Sequence, residues 1–210
     1  MRLRIFFRKS DAMRFTGHLD LHRTWERTFR RAGLPISYSQ GFHPQPRLNL
    51  ACALPLGFTS ECEVLDAWLD HPVLLPHIEE ALLNSLPPGL SISTMQEVGD
   101  KLPTLQTQVV SAEYMVTLVD SFDRIDERIA ELWNSSSLPR ERHGKSYDLR
   151  LLIEELDYIP ADAISNAMIH MQLSAQSGAT GRPEEVLSAL SIPVESTRIH
   201  RTQLIFAEGG

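Results

Sequence analysis

The chain predicts an α+β protein built from two tandem ferredoxin-like (β-α-β-β-α-β) units that can pack as a pseudo-duplicated domain. Two observations carry this expectation. Strand-like and helix-like periodicities follow one another in the order β-α-β-β-α-β between residues 2 and 98, and a similar order returns between residues 112 and 206. The halves share that order of elements but no sequence repeat. With 210 residues and 42% hydrophobic content, the chain has enough apolar material for two small cores.

In the first half, Leu3, Ile5 and Phe7 alternate with Arg2, Arg4, Phe6 and Arg8, the pattern of a strand with one face on a core. Leu21, Trp25, Phe29 and Ala32 recur at helical spacing from about His18, and Gly33 and Pro35 stop the helix. Leu48, Leu50, Cys52 and Leu54 alternate as a second strand, and residues 62–69 read as a third. Residues 72–84 read as a second helix, closed by Leu86-Pro87-Pro88-Gly89, and residues 90–98 as a fourth strand. The predicted organisation is a first unit over 1–100, a linker over 101–110 and a second unit over 111–210. In the second unit, strands are expected at 112–119, 147–153, 167–173 and 194–206. Helices are expected at 122–133 and from Pro183, and a polar loop at 134–145.

Net charge is −7, yet residues 1–50 carry ten Lys/Arg against three Asp/Glu, leaving −14 for the other 160 residues. A local basic face governs phosphate contact over a Debye length of about 8–10 Å, so this asymmetry says more than the sum. No apolar run is long enough to cross a membrane, and the N-terminus lacks a signal-peptide pattern. Cys52 and Cys62 are too few for a disulfide framework and read as reduced thiols buried on neighbouring strands of a cytoplasmic protein.

The chemistry concentrates between Arg14 and Pro55. Arg23, Arg27 and Arg30 share one helix face, with Arg31 beside them; their planar forks suit phosphate oxygens. The loop Tyr38-Ser39-Gln40-Gly41-Phe42-His43-Pro44-Gln45-Pro46-Arg47 follows at once. Tyr38, Phe42 and His43 offer faces for a stacked base, and Ser39, Gln40 and Gln45 offer polar edges. Gly41 permits an unusual backbone angle or a close approach, and Arg47 adds a fifth cation. Arg2, Arg4, Phe6 and Arg8 are expected to display basic and aromatic groups on the open sheet face, unless the second half covers it. His18 and Asp20 are candidate supporting groups. His18 and His22 have the i, i+4 spacing of a metal pair, but no HExxH motif accompanies them, and neither metal nor cofactor is expected.

GHLDL (17–21), RTFRRAGLPISYSQGFHPQPRL (27–48), ALPLG (53–57) and GRPEEVLSAL (181–190) together resemble the radical-SAM-linked proteins. This is an uncharacterised bacterial domain fused to, or encoded near, radical-SAM proteins. The resemblance covers essentially the whole chain and implies a radical-SAM protein as partner, one acting on RNA or the translation apparatus. His43 and His22 depart from the pattern, which favours Asn and an apolar residue there. The chain has no CxxxCxxC cluster, so the resemblance does not make it a radical-SAM catalyst. The reading that follows is a non-catalytic module recognising RNA or another anionic substrate. The alternatives are a standalone RNA-processing or RNA-modifying enzyme using His18, Asp20 or His43, and a protein–protein adaptor whose basic cleft binds an acidic partner.

Overall fold

A computed structural model of the chain describes residues 1–142, 144–176 and 178–207. The fold is α+β and divides into two compact units, Met1–Val109 joined by the chain's end from Phe206, and Val110–Ile205.

In the first unit, β1 (Arg2–Lys9) is followed by α1 (His18–Arg31), β2 (Leu48–Leu50), β3 (Thr59–Trp68), α2 (Leu75–Leu83), β4 (Leu90–Val98) and a helical turn, α3 (Leu105–Gln108). β1 pairs antiparallel with both β3 and β4, and β2 pairs antiparallel with β3. The sheet order is therefore β4-β1-β3-β2. Leu3, Ile5 and Phe7 from the sheet meet Leu21, Trp25 and Phe29 of α1 and Ile78 and Leu82 of α2 in one buried core. Phe7 and Trp25 stack edge-to-face with centroids 4.9 Å apart, the geometry that the ring quadrupoles favour. Asp20 in the first turn of α1 and Arg30 and Arg31 in its last complement the helix dipole.

Several local details differ from those the periodicity predicts. β2 ends at Leu50, with one last backbone bond from the Ala51 N–H to the Val64 carbonyl of β3 at 2.9 Å; Leu54 is buried in the following loop, so the alternation there marks burial rather than pairing. Cys52 and Cys62 are reduced thiols, both half-buried rather than buried, and Cys52 lies beyond the strand. Leu105 is buried within the segment read as a linker.

The second unit contains β5 (Val109–Leu118), α4 (Ile125–Asn134), β6 (Pro139–Arg142), β7 (Lys145–Asp148), β8 (Ile153–Ile159), β9 (Met168–Gln176), β10 (Ala179–Thr180), α5 (Pro183–Ala189) and β11 (Thr197–Phe206). β9 pairs antiparallel with β5 on one side and β8 on the other, and β5 also neighbours β11. The polar stretch 134–145 is not all loop: β6 and β7 form an antiparallel pair, and His143 between them lies outside the described residues. The stretch 147–153 is not one strand either. Asp148 accepts the Arg150 N–H at 2.9 Å and caps a tight helical turn over Leu149–Leu152.

Candidate nucleic-acid interface

Helix α1 buries Leu21, Trp25, Thr28 and Phe29 and leaves its arginines outside. Arg23 pairs with Asp20 at 3.4 Å, with both side chains about two-thirds exposed. Arg31 donates to the Ser85 carbonyl just beyond α2, so it ties the two helices together rather than standing free. Arg27 and Arg30 are exposed, and among the described residues no ion pair joins Glu26 to Arg30. His22 turns its Nε2 toward the Leu48 carbonyl at 3.4 Å, which sets α1 against the exit of the loop. His18 is half-buried and Asp20 exposed, and no described group of three metal-ligating side chains includes either.

The loop between α1 and β2 is clamped at its base by backbone bonds. Ser37 N–H donates to the Trp68 carbonyl at 2.7 Å, Arg47 N–H to Ser37 at 2.8 Å, and Trp68 N–H to Arg47 at 3.1 Å. One step further out, Ser39 N–H donates to the Gln45 carbonyl at 2.8 Å, and Gln45 N–H returns a bond to the Ser39 hydroxyl at 3.0 Å. The Ser39 hydroxyl therefore serves the loop's own closure. Tyr38 bridges to Pro46, which is buried. Beyond this neck Gln40, Gly41, Phe42, His43 and Pro44 are all exposed. Phe42 is wholly so, at 102%, and Tyr38 is 47% exposed. Gly41 takes φ = 135°, which favours glycine, and a Cβ there would meet no atom within 4 Å. Conformation, not close approach, calls for glycine at this position.

Arg47 leaves the neck with its guanidinium carbon 4.8 Å from the centre of the Trp68 ring. Arg2, directly opposite Trp68 across the β1–β3 pair, places its own guanidinium carbon 5.0 Å from the same ring. Arg2 is held from behind: Nε and Nη2 both donate to Asp66 Oδ2, at 2.9 and 2.6 Å, and Nη1 and Nη2 reach the carbonyls of Leu102 and Pro103.

That anchoring corrects the expected basic sheet face. Arg2 and Arg4 are buried, not displayed: Arg4 donates to Asp66 Oδ1 through Nε at 2.9 Å and to Oδ2 through Nη2 at 3.1 Å. A fully buried carboxylate with two guanidiniums is satisfied internally and offers little to a ligand. Of the four residues read on that face, Arg8 is exposed and Phe6 half-buried.

In the second unit, Arg142 reaches both Glu185 oxygens at 2.7 Å, the Tyr147 hydroxyl and the Thr180 carbonyl, which secures the β6–β7 hairpin to the start of α5. Burial pushes the neighbouring Glu184 carboxyl above its ordinary range. Arg201, at the chain's end, is completely buried and Arg198 is exposed. A further group escapes sequence reading. Glu155 and Asp157 on β8 and His170 on β9 bring ligand atoms within 4.8 Å of one another. Asp157 sits opposite His170 in the strand register with its Oδ2 3.8 Å from Nδ1, while Glu113 Oε2 lies 3.8 Å from Nε2. The signal for it was the alternation of acids along β8, which has no meaning until β9 is known to be its neighbour.

No curated protein sequence matches the chain. Among solved structures it is similar to a chain of a Cbf5-Nop10-Gar1 complex, with a TM-score of 0.50 and 9% identity over 96% of this chain and 48% of that one. A chain of the archaeal box H/ACA sRNP Nop10-Cbf5 complex is also similar, with a TM-score of 0.46 and 8% identity over 96% and 47%. The chain thus spans about half the length of these solved relatives. At such identity the first likeness concerns the fold alone. A family model does match at sequence level, over residues 2–183, and the chain belongs to that family: the uncharacterized proteins conserved in bacteria designated DUF2344.

Proposed function

We propose that the protein is a non-catalytic recognition module that binds RNA through the Tyr38–Arg47 loop and the exposed arginines of α1, in association with a radical-SAM enzyme. The observation carrying this reading is the clamped neck of the loop, which carries a wholly exposed Phe42 and a half-exposed Tyr38 on the same loop as Arg47. Aromatic faces beside cations on a rigid mount suit nucleic acid, because every base has a face to stack and every nucleotide a phosphate to pair. The radical-SAM partner rests on the motif resemblance in residues 17–57 and 181–190. The strand orders β4-β1-β3-β2 and β11-β5-β9-β8 support reading each unit as ferredoxin-like, with boundaries near residues 100 and 111.

Filter binding of total tRNA and rRNA over a salt series tests the reading. The expected result is binding that weakens steeply with salt, by a slope of about 0.7 per phosphate neutralised for a single strand. Absent binding, or binding indifferent to salt, overturns it.

A further inference from the structure

We infer that Trp68 positions Arg47 to grip the phosphate of an unpaired nucleotide whose base stacks on the loop tip, so that the ligand of this loop is single-stranded RNA. This rests on the RNA-binding reading above and deepens it.

Three features together single out Arg47 among the exposed arginines of the first unit. Its backbone is fixed from both directions, by its N–H to Ser37 and by its carbonyl to Trp68. Its guanidinium lies against the Trp68 ring. That stacking engages the cation with the indole face, and guanidinium N–H groups point outward in the guanidinium plane, where a phosphate oxygen pair binds. Among the described residues those side-chain donors have no hydrogen-bond or carboxylate partner. Arg23, by contrast, pairs with Asp20, and Arg31 with Ser85.

The ring that holds Arg47 is itself held. Arg2 flanks Trp68 from β1, on the side of β3 opposite Arg47, and Asp66 fixes Arg2 with two hydrogen bonds. Asp66 serves Arg4 as well, so one carboxylate answers two guanidiniums and the buried trio keeps a net charge of +1. That charge lies beside Trp68. It adds to that of Arg47 and favours an anion at the surface over any internal carboxylate. Arg47 is thus pre-set in position and in charge, which lowers the ordering cost of binding.

The unpaired state of the nucleotide follows from Phe42. A ring exposed on both faces stacks on a base only when that base has left its own stack. Bases inside a duplex present edges and no free face. Tyr38 at the neck and Phe42 at the tip are the loop's two exposed aromatic rings, and Tyr38 pairs with Pro46, the residue before Arg47.

The test titrates the intact protein with a mixed-sequence 12-nucleotide RNA, as a single strand and as its duplex, while following tryptophan fluorescence and anisotropy. The expected result is a preference for the single strand of about tenfold or more. A change in Trp68 emission should accompany binding and vanish in Trp68→Phe, since Trp25 lies in the core and Trp133 in the other unit. Arg47→Lys keeps the charge but not the fork or the stack, and should weaken single-strand binding about tenfold. Phe42→Ala, at a fully exposed position, should erase the preference for the single strand without changing the melting temperature. Equal binding of strand and duplex, or wild-type affinity in Arg47→Lys, overturns this inference while leaving RNA recognition standing. Displacement of the RNA by poly-glutamate as readily as by unlabelled RNA overturns this inference and the parent reading together, because it would mark an acidic protein surface as the ligand. Failure of the wild type to bind either RNA at low salt removes the parent reading, and this one with it.

Discussion

Asp66 and Arg2 form a buried, two-bond ion pair, with Nε and Nη2 of Arg2 both donating to Oδ2 and neither side chain reaching solvent. The same carboxylate also holds Arg4, so the pair is the centre of a three-residue cluster beneath Trp68. Removing the acid strands two cations in the core, which costs far more than removing one exposed pair. Asp66→Ala should destabilise the protein by about 3–5 kcal/mol. Urea unfolding followed by circular dichroism measures this, and a loss no larger than that of an exposed pair would show the cluster to be loosely held.

Arg27 and Arg30 carry no structural duty that matches Arg31's bond to Ser85. The Arg27→Ala/Arg30→Ala double variant should keep its stability within about 0.5 kcal/mol, as substitutions at exposed sites do. Its salt slope for RNA binding should fall by roughly 0.7 for each phosphate that is no longer neutralised. Arg31→Ala, in contrast, should lower the unfolding midpoint as well, because it leaves a helix-end carbonyl without its donor. The separation of the two effects is the outcome to measure.

Gly89 turns the chain from α2 into β4 with φ = 93°, and a Cβ there would lie 2.7 Å from Met13 Cγ and 2.8 Å from the Met13 nitrogen. Its carbonyl also accepts the Ser10 N–H at 2.9 Å. Gly89→Ala meets both a backbone penalty and a backbone clash. It should destabilise by more than about 1 kcal/mol in thermal melts. Gly41→Ala, where the space is open, should show the conformational cost alone and therefore less.

Glu184 supplies a pH test. Burial raises its carboxyl pKa, so the fold favours the protonated form. Its stabilising contribution is complete below the unfolded carboxylate range and is lost as pH rises through the raised value. Glu184→Gln stays neutral throughout, so it should be more stable than the wild type near pH 8. The difference should close below the unfolded carboxylate range, at about pH 3, where both side chains are uncharged. Parallel melting curves at the two pH values decide it.

Sequence periodicity located the first unit's core well, because Leu3, Ile5 and Phe7 obey a two-residue period and Leu21, Trp25 and Phe29 a helical one, each a local consequence of facing one interior. It failed where the deciding partner is distant. Arg2 and Arg4 read as solvent-facing because they are arginines, yet Asp66 lies more than 60 residues on and no local pattern announces it. The strand expected over 147–153 failed for a different reason. A single side-chain bond from Asp148 to the Arg150 backbone competes with the ladder and wins locally. The loop's composition marked it as a candidate ligand site, but not that Ser39 and Gln45 would be used in closing it on itself.

The clamp at the loop's neck is made chiefly of main-chain groups from Ser37, Ser39, Gln45, Arg47 and Trp68. The side chains of Gln40, Phe42, His43 and Pro44 are all exposed, and among the described residues none of them bonds into it. The mount and the tip can therefore change independently. A relative could acquire a new preference by rewriting the four codons around Gly41, with the core, the helices and the buried Asp66 cluster untouched. The tip would then vary as interchangeable reading heads do, each fitted to the same socket.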